Sequence, residues 1–228
     1  MKKYLIACGA ASVALSASLS AQEVSVTTTF AWESSYVFRG VQLAEETYMP
    51  AVDFAFGDAY AGIWAAMPVS NEPNEVDFYA GYGLTVADDL TLDVGVTHYT
   101  YPDSGADILE DDSTTEIYVG TSFDAPFAPS VYAYYDFDLE TFTLEGSAGH
   151  SIELDDRTTF DMSGALGYVN PDVSDSYTYA VGSVGLGYAI NDYVSGSLYA
   201  NYAWSSEDQM FDDDSTELWF GFSITGGF

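Results

Sequence analysis

From residue 24 onward, apolar and polar positions alternate with a period of two in segment after segment. No stretch sustains the 3.6-residue period of an amphipathic helix. The last segment is the plainest. Leu218, Phe220, Phe222, Ile224, Gly226 and Phe228 hold its even positions, and Glu217, Trp219, Gly221, Ser223, Thr225 and Gly227 its odd ones. One face is almost wholly apolar and the other small or polar. The same reading along the chain predicts about twelve strands, over 24–40, 49–56, 59–67, 75–85, 90–101, 115–123, 130–138, 141–154, 158–169, 177–190, 193–204 and 217–228. The seventh and eighth can also be read as one long bent element, which would spoil the even count.

The connections alternate in kind. Gly57-Asp58, Ala87-Asp88-Asp89, Asp155-Asp156-Arg157 and Asn191-Asp192 read as tight turns, and longer acidic loops fall at 41–48, 68–74, 102–114, 170–176 and 205–216. Short turns at one end and long loops at the other, joining strands of about ten residues, are the pattern of an outer-membrane barrel. Closure leaves no edge strand, so no backbone group stays unpaired in lipid. A secreted β-sandwich also alternates. Against it, large aromatics run to the strand ends as girdles do. The final alternation also closes on Phe228, a terminal aromatic of the kind bacterial barrel assembly machinery reads. The expected fold is all-β: a transmembrane antiparallel up-and-down β-barrel over residues 22–228.

Residues 1–21 read as a secretory signal peptide: Lys2 and Lys3, the apolar run YLIACGAASVALSA, then Ser20-Ala21 before Gln22. The run is too short and too rich in Ala and Ser for a good transmembrane helix. Leu5-Ile6-Ala7-Cys8 resembles a lipoprotein box but lies at the wrong end of the apolar run. Cys8 is the single cysteine, so the chain beyond the signal has no disulfide or thiol chemistry. The expected location is the outer membrane of a Gram-negative-type bacterium. Asp and Glu number 36 against 4 Lys and Arg, a formal net charge of -32. Such charge repels nucleic acid, and it also suits salty surroundings. Disorder is excluded by the 19 Tyr and 14 Phe, which follow the alternation.

With the apolar parity facing lipid, Glu33, Arg39, Asp53, Asp77, Asp93, Glu116, Asp136, Glu145, Asp161 and Glu217 face the lumen, among tyrosines such as Tyr79, Tyr99, Tyr132 and Tyr134. Unpaired carboxylates in a dry interior would cost several kcal/mol each, and basic partners are too few. Water in the lumen resolves this, giving a narrow acidic conduit for passive diffusion of small solutes or cations. The alternative is a barrel plugged by side chains or loops, serving as a structural or surface-interaction element. Arg39 and Arg157 are the basic residues beyond the signal. Arg39 is expected near the long-loop end, either bridging to Glu217 or Asp53 at the closure seam or standing as a solvated arginine at a strand end. Arg157 reads as an ordinary turn residue.

Other chemistry is thin. His98 and His150 fall on the mainly apolar parity of different strands, His98 near the loop end, where a barrel lipid hydrolase would hold its histidine. A lone interfacial histidine is more simply amphipathic packing. The runs 107–112 and 212–214 offer carboxylates for calcium but lack the glycine and spacing of an EF-hand loop. No enzyme activity, catalytic residue, metal or cofactor is expected. The expected partners are outer-membrane lipids, the assembly machinery and small solutes or cations.

SSYVFRGVQ (34–42), with YAGIWAA (60–66), DFYAGYG (77–83) and LDVGVTHYTYP (92–102), is similar to the TorF-type porins, a conserved hypothetical bacterial outer-membrane family of unknown function. The resemblance covers most of the chain after the signal and is strongest over about 30–102. It implies an outer-membrane barrel with a channel role, and its motif falls on Tyr36, Phe38, Arg39 and Gly40. The family often continues Ile-Ser-Gln after the glycine, where Val41-Gln42-Leu43 stands here.

Overall fold

The structure is a computed structural model, and it describes residues 24–102, 113–207, 210–211 and 214–228. The expected signal peptide at 1–21, the acidic run 107–112 and Asp212-Asp213 lie outside the described residues.

Alternation becomes fourteen strands among the described residues. They are β1 (Val24–Glu33), β2 (Tyr36–Phe38), β3 (Val41–Ala44), β4 (Thr47–Phe56), β5 (Ala59–Pro68), β6 (Glu75–Ala87), β7 (Leu90–Thr100), β8 (Thr114–Phe123), β9 (Ser130–Asp136), β10 (Thr141–Glu153), β11 (Thr158–Asn170), β12 (Tyr177–Ala189), β13 (Val194–Ser205) and β14 (Thr216–Gly227). All but β2 and β3 close into a twelve-strand antiparallel barrel in chain order, with β14 returning to β1 and β1 also pairing β4. The expected seventh and eighth strands are a true hairpin, with Asp136 opposite Thr141, so the count stays even.

One expected strand is wrong. The first does not run to Gly40. It ends at Glu33, and residues 34–46 turn inward, carrying the two-stranded β2–β3 hairpin. Tyr36-Val37-Phe38 has a strand's composition, which local pattern cannot distinguish from a continuation of β1.

Each barrel strand puts alternate residues on opposite faces. Leu166, Leu198 and Leu218 are each about two-thirds exposed on the outside, while Tyr179, Ala203 and Trp219 are buried within. The seam runs from Thr27 opposite Gly227 to Glu33 opposite Gly221. It is extended by reciprocal bonds between Val26 and Phe228, at 3.1 Å from Val26 N–H and 2.9 Å from Phe228 N–H. The Phe228 ring itself is exposed.

The tight turns cap themselves. Asp155 accepts from the N–H groups of Arg157 (2.8 Å) and Thr158 (2.9 Å), and Asn191 accepts from those of Tyr193 and Val194. The bonds from Arg157 and Thr158 hold the Asp155 carboxyl below its ordinary pKa. Arg157 is exposed in this turn, as expected.

Candidate functional site: a barrel interior crossed by a hairpin

The site begins where the chain leaves β1. Glu33 accepts from Trp219 Nε1 (2.7 Å) and Tyr199 Oη (2.9 Å), and Ser34 N–H donates to the Phe220 carbonyl at 2.9 Å. These bonds tie the exit point to β13 and β14. The chain then turns inward. Phe38 pairs with Val41 across Arg39-Gly40, whose φ angles are 49° and 77°. Two positive φ values in a two-residue loop make a type I′ turn, the tightest way to reverse a twisted pair of strands.

The hairpin is docked on several walls. Tyr36 Oη donates to Glu75 on β6 (3.1 Å), and its ring packs against Trp64 on β5. Val37 is buried with Ala203, Phe211 and Trp219, and Val41 packs against Val169, Tyr177 and Tyr179. Gln42 N–H donates to the Met210 carbonyl at 2.9 Å.

Gly40 lies directly on the Tyr179 side chain, where a Cβ would overlap the Tyr179 Cβ. Gly40→Ala therefore meets both a steric conflict and an unfavourable left-handed φ. The expected loss is about 1–3 kcal/mol, measured as a lower unfolding midpoint of the folded barrel.

At the tip, Arg39 reaches β8, five strands round the barrel from β1 in one direction and seven in the other. Its Nη1 lies 2.6 Å from Glu116 Oε2 and its Nη2 2.8 Å from Oε1, a parallel two-bond pair. Tyr99 Oη donates to Glu116 Oε1 at 3.1 Å. The guanidinium carbon sits 4.3 Å from the Tyr134 ring centroid and 4.7 Å from that of Phe38. The expected bridge from Arg39 to Glu217 or Asp53 is thus incorrect. Glu217 is half-buried on the inner face of β14, and Asp53 accepts from Tyr79 Oη. The inward fold of the hairpin carries the guanidinium away from the seam to the opposite wall.

The remaining predicted acids lie on inward positions, and two of them, Asp93 and Glu145, are met by tyrosine hydroxyls. Asp93 accepts from Tyr60 (2.9 and 3.0 Å) and Tyr132 (3.1 Å), and Tyr60 and Tyr118 share a hydrogen bond of 2.6 Å. Glu145 accepts from Tyr179. Asp161 accepts from Thr159 Oγ1 at 2.8 Å. Asp136 is committed to the β9–β10 loop, accepting from the Asp138 and Leu139 N–H groups. Asp77 is buried, and its Oδ1 has no hydrogen-bond partner among the described residues. A phenol hydroxyl gives a carboxylate a donor without cancelling its charge. Composition pointed to water as the partner of these acids; the tyrosines supply a second one.

Several of these rings approach a glycine on the neighbouring strand closely, Tyr79 at Gly62, Tyr118 at Gly95 and Tyr132 at Gly120, where a Cβ would overlap the ring. Sequence reasoning missed Tyr60, Tyr118, Tyr179 and Glu75's pairing with the hairpin. The inward parity of these tyrosines was available as a signal, but their cross-strand targets were not.

His98 faces outward and shares a 3.0 Å hydrogen bond with Thr115 Oγ1; His150 packs against Phe127 with centroids 5.1 Å apart and the rings tilted by 46°. The hydroxyl beside His98 is therefore a threonine, and the two histidines do not meet. Among the described residues no group of three or more His, Cys, Asp or Glu side chains is arranged to hold a metal ion.

A closed twelve-strand barrel with an apolar outer wall and a polar, carboxylate-bearing inner wall defines a porin-like β-barrel. The fold is similar to the NanC porin (TM-score 0.57, 13% identity, covering 88% of this chain and 98% of that one). It is also similar to the KdgM porin in complex with disordered oligogalacturonate (0.59, 10%, 90% and 99%). A third likeness is to an outer membrane channel from Pseudomonas putida F1 (0.54, 7%, 92% and 97%). At these identities the likeness is one of fold. No curated protein sequence matches the chain. The chain belongs to the bacterial family of unknown function Gcw_chp, whose model matches residues 17–142.

Proposed function

We propose that this protein is an outer-membrane porin-like channel for passive diffusion of small hydrophilic solutes, and that its lumen favours cations. The observation that carries the reading is the chemistry of the inner wall. Its carboxylates are satisfied chiefly by neutral tyrosine donors, with Arg39–Glu116 as the charged exception. A tyrosine donor does not neutralise the carboxylate it meets, so those acids that are ionised leave the wall net negative, which lowers the barrier for cations and raises it for anions. The likeness to porin folds and the TorF-type motif support the channel role. KdgM was solved with oligogalacturonate, a polyanion; the acidic wall here favours the opposite charge.

The test is purified, heat-modifiable protein in planar bilayers under a salt gradient. Discrete conductance steps are expected, with a reversal potential displaced toward the cation value. Silence from well-folded protein would sink the channel. The second reading, a non-conducting barrel, is favoured by one observation: the β2–β3 hairpin occupies the lumen.

The proposed pathway is export by the 1–21 signal, assembly through the terminal Phe228 signal, and a lipid-facing outer wall. Leu198 lies on that wall, midway along β13. Leu198→Arg is expected to cost about 2–4 kcal/mol in lipid vesicles. The loss should shrink in detergent, where an arginine can reach water. Equal losses in both would count against a lipid-facing position.

A further inference from the structure

We infer that the wall cluster Glu116, Tyr99 and Tyr134 is a recognition site for guanidinium-bearing solutes, and that Arg39 is its resident, tethered occupant. The inference deepens the channel reading by naming a solute class. It rests on that reading only in that the lumen must admit a small cation.

Three neighbouring barrel strands supply the wall half of the site. Glu116 comes from β8, Tyr99 from β7 and Tyr134 from β9. Their contacts have the features that recognise a planar cation. A carboxylate presents both oxygens to two N–H groups at 2.6 and 2.8 Å. The Tyr134 face lies 4.3 Å from the cationic carbon, and Tyr99 Oη fixes the carboxylate at 3.1 Å. The Glu116 side chain is 3% exposed, so water does not compete effectively for it. A planar fork matches this geometry and a point-charge ammonium does not.

The occupant comes from a different element. Arg39 sits at the tip of a short hairpin, in a left-handed turn, and reaches the wall from the far side of the barrel. The hairpin brings the cation and the rigid barrel brings its receptor. Taking Arg39 away leaves a buried carboxylate and an aromatic face with no cation, so a free guanidinium of the same shape has the same partners to meet. A solute of that class entering the lumen competes with Arg39 for Glu116 and loosens the hairpin tip as it binds.

Chemical rescue tests this with methylguanidinium as the probe and Arg39→Ala as the vacated site. The readout is the temperature at which the folded barrel unfolds, by heat-modified gel migration. Arg39→Ala is expected to unfold at a lower temperature. Methylguanidinium should restore more than half of that loss, saturating on the order of 1–10 mM, the range of a small single-site ligand. Sodium at equal ionic strength should restore none, and Arg39→Ala combined with Glu116→Gln should not respond. If Arg39→Ala does not refold alone, the readout becomes its refolding yield with methylguanidinium against sodium. Absence of a saturable, Glu116-dependent rescue in whichever assay applies overturns the inference. Rescue without bilayer conductance keeps the site and removes the channel, so the two failures are distinguishable.

Discussion

Glu116→Gln is expected to lower the stability of the folded barrel by about 3–5 kcal/mol, the scale for removing one partner of a buried ion pair. The amide is close in size to the carboxylate but leaves the Arg39 guanidinium buried with no counter-charge. Two paths relieve it. The arginine stays and the full penalty appears, or the hairpin tip leaves the wall and the loss is capped at the hairpin's docking energy. Equilibrium unfolding in urea from lipid vesicles measures the sum. Single-channel recording separates the paths, since a released tip adds open-state noise or larger substates. The exchanged pair, Arg39→Glu with Glu116→Arg, should recover part of the stability, because the two positions face each other whichever carries the charge. Glu217→Gln and Asp53→Asn should leave the Arg39 contact untouched, as neither touches it. An unfolding midpoint for Glu116→Gln equal to wild type would mean the ion pair contributes nothing.

Removing the hairpin should have the largest effect on transport. Replacing Tyr36–Ala44 with a short Gly-Ser linker is expected to raise single-channel conductance several-fold, because the segment crosses the lumen and touches β6, β8, β12 and the β13–β14 wall. The barrel should survive the deletion. β1 and β4 pair directly from Val24 opposite Phe56 to Glu33 opposite Thr47, a ladder that excludes the hairpin. The cost is the apolar contact of Tyr36, Val37 and Val41, on the order of a few kcal/mol at about 25 cal/mol per Å². Both functional readings meet here. In a conducting barrel the wild type passes current and the deletion passes more. In a plugged barrel the wild type is silent and only the deletion conducts. A folded deletion variant with wild-type conductance would mean that the hairpin does not limit the path.

The alternation placed the barrel strands to within about two residues, apart from the first. The nine predicted lumen acids fall on the inward parity of their strands, whereas Arg39 lies in the hairpin turn and on no barrel strand. Turn chemistry was legible too, in the Asp155 and Asn191 caps. The hairpin was half legible: Arg39-Gly40 between two short β-prone runs is a two-residue turn signal, yet Tyr36-Val37-Phe38 continued β1's composition and masked it. The tyrosine–carboxylate bonds were not legible at all. Tyr60 meets Asp93, Tyr179 meets Glu145 and Tyr199 meets Glu33 across 33, 34 and 166 positions of sequence.

By itself the sequence determined the closed barrel, its strand count, the direction of the side chains along the barrel strands, and an inner wall rich in acids and tyrosines. These follow from a two-residue period, a local property of extended backbone with different surroundings on its two faces. Only the tertiary structure decided where Arg39 goes. Its partner depends on a turn that sends the chain inward and on closure that sets β8 across the lumen from β1, and neither depends on the spacing between residues 39 and 116. The motif read as the end of a strand is the tip of a hairpin, and the Arg39 guanidinium expected at the seam pins that hairpin to the opposite wall.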